Sequence, residues 1–296
     1  MTFIDIAGAT SSEQTKQTSG ARPHVLFAVP NALDSGGIDI FHLPSERRLT
    51  TIKSDPMVKT GMLMAVSLFT SPSGEIFVAS AFEDGHVMVF MHKGPLNPTS
   101  FELSNINSNQ WKWNKLYASR PHSQPVLSLD ISPSQDYFIS SSADTLLIKH
   151  PVPSAPSAGF LPSGNYTEDK ALKTVNTKHS GQQGLRIRSD GKVFATAGWD
   201  SRVRVYAGKT MKELAVLKWH KEGCYAVAFG EVDSPSSQSA AQIVKADGPD
   251  SQKPTQEEPP TRSIAAVHQQ RFQKIQQTHW LVAGSKDGKI SLWDIY

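Results

Sequence analysis

The chain has little with which to do covalent or redox chemistry. Of its 296 residues only Cys224 is a cysteine, which rules out an intramolecular disulfide and is compatible with a reducing compartment. Cys224 lies beside an apolar strand pattern and reads as a buried thiol rather than a reactive one. No apolar run approaches the roughly 20 residues of a membrane span. The opening segment MTFIDIAGATSSEQTKQTSGAR is too polar for a secretory signal. There is no Walker loop, no His-Glu-x-x-His and no Cys-x-x-Cys pair. Charge is low as well: charged residues are 19% of the chain and the formal net charge is +3. That balance does not demand a polyanionic partner. Hydrophobic residues at 38% leave enough apolar material for a sizeable core, and 20 Gly with 19 Pro suit many turns.

What is present is a repeat. Its unit is a small residue, an Asp, and an aromatic slot six positions later. Asp84 precedes Phe90, Asp144 precedes His150, Asp200 precedes Tyr206 and Asp287 precedes Trp293. The first copy, AVPNALDSGGIDIF, pairs Asp34 with Phe41 and is one residue longer because of Gly36-Gly37. Each Asp sits at a turn flanked by β-branched alternation such as Ile38, Ile40 or Val203, Val205, the pattern of two antiparallel strands joined by a tight turn. The five Asp residues are 50, 60, 56 and 87 residues apart, each more than the roughly 40–45 of a WD40 blade. The periodicity predicts an all-β WD40 β-propeller with about five recognisable blades, whose surface holds partners rather than transforming a substrate.

The last interval is the most inflated. Residues 231–262 are rich in Ser, Gln, Pro, Asp and Glu and cannot bury enough apolar surface to offset their ordering entropy. A disordered insertion is expected over 231–277. It ends in a short helix pattern through Ile264, Val267, Arg271 or Phe272, and Ile275. Residues 1–21 read as a disordered lead, apart from a weak first-strand pattern at Phe3–Ile6. The propeller domain is expected over 22–296.

In this fold a loop His, a strand Ser or Thr, the turn Asp and a Trp form a buried hydrogen-bonded chain, since a buried carboxylate without donors costs several kcal/mol. The fifth unit has the full candidate set, His220, Ser285, Asp287 and Trp293. The third has His122, Ser142 and Asp144 without the Trp. The fourth has His179, Asp200 and Tyr206. Ser, His and Asp also make a hydrolase triad, but a triad need occur only once, whereas these recur at blade spacing. No Gly-x-Ser-x-Gly elbow accompanies them. They are assigned as structural positions. No catalytic, cofactor-binding or metal-binding residue is assigned, and His150 reads as a packed histidine. Arg202 and Arg204 alternate with Val203 and Val205 and are expected on the wet face of a strand. Trp111 and Trp113 fall on one face of a strand, as blade-to-blade packing or as an aromatic pair for a partner.

Three phrases are more particular than the generic repeat. VPNALDSGGIDIFHLP, ATAGWDSRVRVYAGKTMKELAVLKWHKEGCYAVAF and LVAGSKDGKISLWDIY resemble the fungal ASTRA-associated proteins, a WD-repeat family similar to the G-protein-β-like proteins of animals. The resemblance covers roughly residues 22–230 and 278–296. It implies a nuclear, non-enzymatic subunit of the ASTRA assembly, linked to chromatin remodelling and to co-chaperones that mature large phosphatidylinositol-kinase-like kinases. Its partners would be protein subunits, with no small-molecule substrate, no membrane and no direct nucleic-acid contact. The matching positions are the structural ones, among them Asp200, His220, Asp287 and Trp293. The family form resembles a seven-bladed ring, so this chain is expected as an amino-terminally shortened version, an open arc or a strained small ring. Other readings on the same fold are an adaptor of a ubiquitin ligase or signalling complex and, remotely, a propeller hydrolase.

Overall fold

The computed structural model describes residues 2–5, 24–93, 111–153, 170–232 and 277–295, with further helical positions at 268, 271, 272, 274 and 275 that continue to Gln277. Apart from these helical residues, its regular structure is β-strand throughout. Among the described residues, nineteen strands form five antiparallel sheets, one for each Asp–aromatic repeat. The first joins β1 (Thr2–Asp5), β2 (Val25–Pro30), β3 (Ile38–Leu43) and β4 (Arg47–Ile52) in that order. The second joins β5 (Leu63–Thr70), β6 (Ile76–Phe82), β7 (Val87–Lys93) and β8 (Lys112–Ser119). In the third, β9 (Val126–Ile131) pairs β10 (Tyr137–Ser142), then β11 (Leu146–Pro151), then β12 (Lys173–Asn176). The fourth runs β13 (Gln182–Ile187), β14 (Val193–Gly198), β15 (Val203–Ala207), β16 (Glu213–Leu217). The fifth has three strands, β17 (Cys224–Phe229), β18 (Trp280–Ser285) and β19 (Ile290–Asp294).

Sequential strands pair because each connection is a short turn. The repeat's Asp always falls in the turn between the second and third strand of its sheet. Asp84 and Asp287 are followed by glycines in left-handed backbone, Gly85 at φ 97° and Gly288 at φ 75°. At Gly85 a second constraint applies: an added Cβ would lie 2.1 Å from the His122 carbonyl oxygen of the next sheet. Only glycine meets both demands.

The chain divides into two compact units, residues 1–228 with 283–291, and 229–282 with 292–296. Within the first, the leading strands β1, β5, β9 and β13 lie side by side, so successive sheets pack face to face. Both faces of the middle strands are therefore covered. All seven residues of β6 and all six of β10 and β14 are buried. Such strands are uniformly inaccessible rather than alternating. Three apolar clusters fill the spaces between sheets, around Ile40 and Val78, around Val89 and Phe138, and around Phe194 and Tyr206. Each fully buried Ile or Phe contributes roughly 1.5–3 kcal/mol relative to an exposed one. Trp111 and Trp113 stack with centroids 6.3 Å apart around His92 and pack against the first cluster. They serve blade-to-blade packing.

Two expectations need correction. Thr2–Asp5, inside the segment read as a lead, form β1 and pair with β2 in register Phe3↔Phe27. The β-forming run there supplies the ladder partner that the free edge of β2 lacks. The rest of residues 1–21 and most of 231–277 lie outside the described residues. Arg204, expected on a wet face, is only 3% exposed, because β15 is a middle strand whose residues on both faces, Val203 to Tyr206, are buried.

In the second unit, helical backbone is described at His268, Arg271, Phe272, Lys274, Ile275 and Gln277, where the sequence pattern placed a short helix. Phe272 and Ile275 are exposed. The Trp280 indole Nε1–H donates to the Ile275 carbonyl at 3.1 Å, and Gly230 N–H donates to the Trp280 carbonyl at 2.8 Å.

Candidate functional site: polar pegs between and within blades

The third sheet holds the most developed polar assembly. The His122 Nδ1 is 3.0 Å from an Asp144 oxygen, and its Nε2 is 2.8 Å from Ser140 Oγ. Ser140 Oγ is also 2.9 Å from His150 Nε2, and His150 Nδ1 is 2.9 Å from the Tyr117 hydroxyl. A carboxylate only accepts, which fixes His122 Nδ1 as a donor. One consistent set of donors then runs one way: Tyr117 O–H to His150, His150 Nε2–H to Ser140, Ser140 O–H to His122, His122 Nδ1–H to Asp144. Every polar atom in the chain has a partner, which is the condition for a buried network to stabilise rather than cost. Tyr117 belongs to the second sheet, so the chain crosses from one blade to the next.

Burial dictates the protonation states. His150 is fully inaccessible, and burial, helped by the charge of His122, pushes its pKa down to about 3. Burial works against the Asp144 carboxylate. The hydrogen bond and charge of His122 and the backbone N–H groups of Leu146 and Ser123 outweigh it and hold its pKa below the ordinary value.

The sequence placed Ser142 in this chain, and Ser140 takes the role instead. Both face the same way, two residues apart, so the pattern could not separate them. Ser142 donates to the Pro125 carbonyl at 2.8 Å and accepts from Asp144 N–H at 3.1 Å. It pins the loop rather than the ring. His150 occupies the aromatic slot as a packed histidine, stacked on Phe138 at 4.6 Å.

The fourth sheet solves the same problem differently. Asp200 is held by two points of the Arg204 guanidinium, at 3.1 and 2.6 Å, while His179 Nδ1 stays 3.9 Å away with its side chain 42% exposed. Burial opposes the Asp200 anion, but the Arg204 hydrogen bond and charge prevail and lower its pKa. Tyr206 stacks on Phe194 at 5.0 Å, and burial pushes its phenol up to about 12.

In the fifth unit the expected set does not assemble. His220 Nε2 bonds Ser291 Oγ at 2.8 Å. Ser285 donates to the carbonyls of Glu222 and Gly223, each at 3.2 Å. Asp287 accepts from Lys289 N–H at 3.1 Å and pairs with its ammonium at 3.6 Å. Trp293 lies on β19, in the second compact unit. Among the described residues no fourth strand pairs with β19, and Asp287 sits in a turn that water reaches, so it needs no buried relay.

Sequence reasoning missed Ser140, Arg204, Tyr117 and Asp130. The Asp130 carboxylate accepts Ile187 N–H at 2.7 Å, tying β9 to β13, and burial raises its pKa despite that bond and the nearby Arg186. Cys224 is buried, and burial pushes its thiol up to about 11, which leaves no thiolate at neutral pH. Among the described residues no group of three or more His, Cys, Asp or Glu is placed to hold a metal ion. What these groups do chemically is fix turns and join sheets.

Comparison with known proteins agrees with this architecture. Residues 113–148, 170–207 and 275–294 match the WD domain, G-beta repeat. Among solved structures, Sqt1 from Chaetomium thermophilum superposes with a TM-score of 0.54 at 14% identity, over 92% of this chain and 53% of that one. At that identity the likeness speaks for fold alone. Among curated relatives, ASTRA-associated protein 1 of Penicillium rubens is 66% identical over 94% of this chain, which spans 64% of that relative's length. The protein of that name in Aspergillus niger is 55% identical over 97% of this chain and 65% of its own. The one in Pyricularia oryzae is 39% identical over 92% of this chain and 68% of its own. The chain belongs to the ASTRA-associated protein 1 family of WD-repeat proteins.

Proposed function

We propose that this chain is a non-enzymatic scaffold that works as a nuclear subunit of the ASTRA assembly, in chromatin remodelling and in the co-chaperone pathway that matures large phosphatidylinositol-kinase-like kinases. The observation that carries the reading is the likeness, up to 66% identity over 94% of the chain, to proteins named for ASTRA association. The geometry is in keeping with it. The best Ser-His-Asp constellation, His122, Ser140 and Asp144, has its serine fully buried between two imidazoles, where no substrate carbonyl reaches it. Loops from successive blades offer instead a broad surface over which binding energy is spread.

Affinity purification of the tagged full-length protein from nuclear extract, followed by mass spectrometry, tests the reading. Recovery of the other ASTRA subunits with kinase co-chaperones is expected. Recovery of cullin-ligase subunits in their place would overturn it.

A further inference from the structure

Three aromatics of the first unit are exposed, Trp199 in the Asp200 turn, Trp219 in the loop before β17 and Tyr225 at the start of β17. Trp199 is 47% exposed, Trp219 52% and Tyr225 44%. Trp199 is not a loose side chain. Its indole Nε1–H donates to Gln183 Oε1 at 3.0 Å. Its backbone N–H donates to the Gly181 carbonyl at 3.0 Å. Gly181, in left-handed backbone at φ +72°, lies under the indole so closely that a Cβ there would meet ring atom Cε3 at 2.1 Å. Gly223 plays a similar part between the Trp199 backbone and the Tyr225 ring: its Cβ would be 3.3 Å from Trp199 Cα and 3.4 Å from Tyr225 Cε1. Gly181 therefore seats the Trp199 indole, and Gly223 lies between the Trp199 backbone and the Tyr225 ring, both rings being half open to water. A fixed, half-exposed indole is the kind of group that anchors an interface, since little side-chain entropy remains to be lost on binding.

Unpaired lysines outnumber unpaired carboxylates around these rings. The loop 177–181 carries Lys178, the loop 218–223 carries Lys221, and the turn after β18 carries Lys286, all exposed. These segments are joined through the backbone. Lys286 N–H donates to the Gly223 carbonyl at 2.9 Å, Gly223 packs on the Trp199 backbone, and Trp199 N–H donates to the Gly181 carbonyl of the Lys178 loop. No ion pair engages the three ammonium groups among the described residues. The nearby carboxylates are occupied within their own turns, Asp200 by Arg204 and Asp287 by Lys289. Among the described residues near the lysines, Glu222 has no ion pair.

Resting on the scaffold reading, we propose that the rim formed by Trp199, Tyr225, Lys178, Lys221 and Lys286 docks an extended acidic segment of a partner protein, with an aromatic or long aliphatic side chain laid against Trp199 and flanking Asp or Glu residues over the lysines. The apolar side chain supplies the anchor. The carboxylates supply steering and register, and they reject a basic segment of the same shape.

The test uses the purified full chain and a fluorescein-labelled peptide, Glu-Asp-Glu-Trp-Leu-Glu-Asp-Glu, read by anisotropy. Saturable binding is expected. It should weaken about tenfold with Trp199→Ala and by a similar factor with the double change Lys178→Glu and Lys286→Glu. It should also fall as salt rises from about 0.05 to about 0.5 M. Trp199→Phe, which keeps a ring, should retain more binding than the alanine variant. Thermal melts of each variant show that it is folded. Equal binding of the peptide with Lys and Arg in place of its acids would overturn the proposal. So would absence of saturable binding, or displacement of the peptide by a single-stranded oligothymidylate that binds more tightly. The assay needs no other subunit. Failure here alongside recovery of ASTRA subunits from cells removes the docking rim and leaves the scaffold reading standing. Binding here without such recovery does the reverse.

Discussion

The Tyr117 hydroxyl donates to His150 Nδ1 at 2.9 Å across the boundary between two blades. Tyr117 belongs to the last strand of the second sheet and His150 to the third strand of the third. The bond joins a surface turn, through Ser140 and His122, to the neighbouring sheet. Replacing Tyr117 by Phe keeps the ring and leaves a buried acceptor on His150 without its donor. A loss of about 1–2 kcal/mol is expected from chemical denaturation of the two proteins. An unchanged midpoint would mean the bond contributes nothing.

The same ring sets an acid limit on stability. His150 is neutral in the folded chain, with its pKa at about 3, against 6.5 when unfolded. The unfolded chain therefore takes up the proton first. Stability is fully present above about pH 6.5 and falls as the pH drops toward 3, with a slope approaching 1.4 kcal/mol per unit. Asp144 and Asp200, whose pKa values are lowered, act in the same direction, but only as the pH falls through and below their ordinary value of about 3.8. Between pH 6.5 and 4.5 these two carboxylates are silent and His150 acts together with His42, whose pKa burial and the charge of His24 also lower. His150→Phe should flatten the pH dependence of the melting temperature in that interval, whatever its effect on stability at pH 7. An identical slope would rule out His150 as its source.

Arg204 and Asp200 should behave as a unit. Arg204→Met leaves Asp200 without its main counter-charge. The expected cost is about 1–3 kcal/mol, less than for a fully buried pair because the Asp200 side chain is 36% exposed. Adding Asp200→Asn should recover much of that loss. A double-mutant cycle on unfolding free energies checks the coupling, and additive effects would argue against it.

Gly85 is held by its backbone angle and by the His122 carbonyl together. Gly85→Ala should cost at least about 1 kcal/mol from backbone strain alone, and more from the clash. Gly74, also left-handed but with open space around it, provides the comparison. Gly74→Ala should cost less, as measured by thermal melting of both variants.

The hairpins were legible because a turn Asp and an aromatic six residues on mark a two-strand unit whatever surrounds it. The polar chains were legible only in part. His122 and Asp144 follow from spacing. Ser140 and Ser142 share a face, and only three-dimensional packing decides which of them meets the rings. Arg204 was misread because alternation with valine signals a wet face only on a strand with one side open, and β15 has none. Phe3–Ile6 gave a weak strand pattern, since four residues carry too little periodicity to distinguish a strand from a polar lead. Asp130 left no local sign at all, because its partner, the Ile187 N–H, is 57 residues away in another sheet.

The central claim is that this chain acts by holding other proteins. Chemical crosslinking of the tagged full-length protein in its native assembly, read by mass spectrometry, tests that most directly. Crosslinks are expected from lysines of the blade loops, Lys178, Lys221 and Lys286 among them, to other subunits of the recovered complex. A chain that emerges from the cell alone, with crosslinks only to itself, would contradict the account.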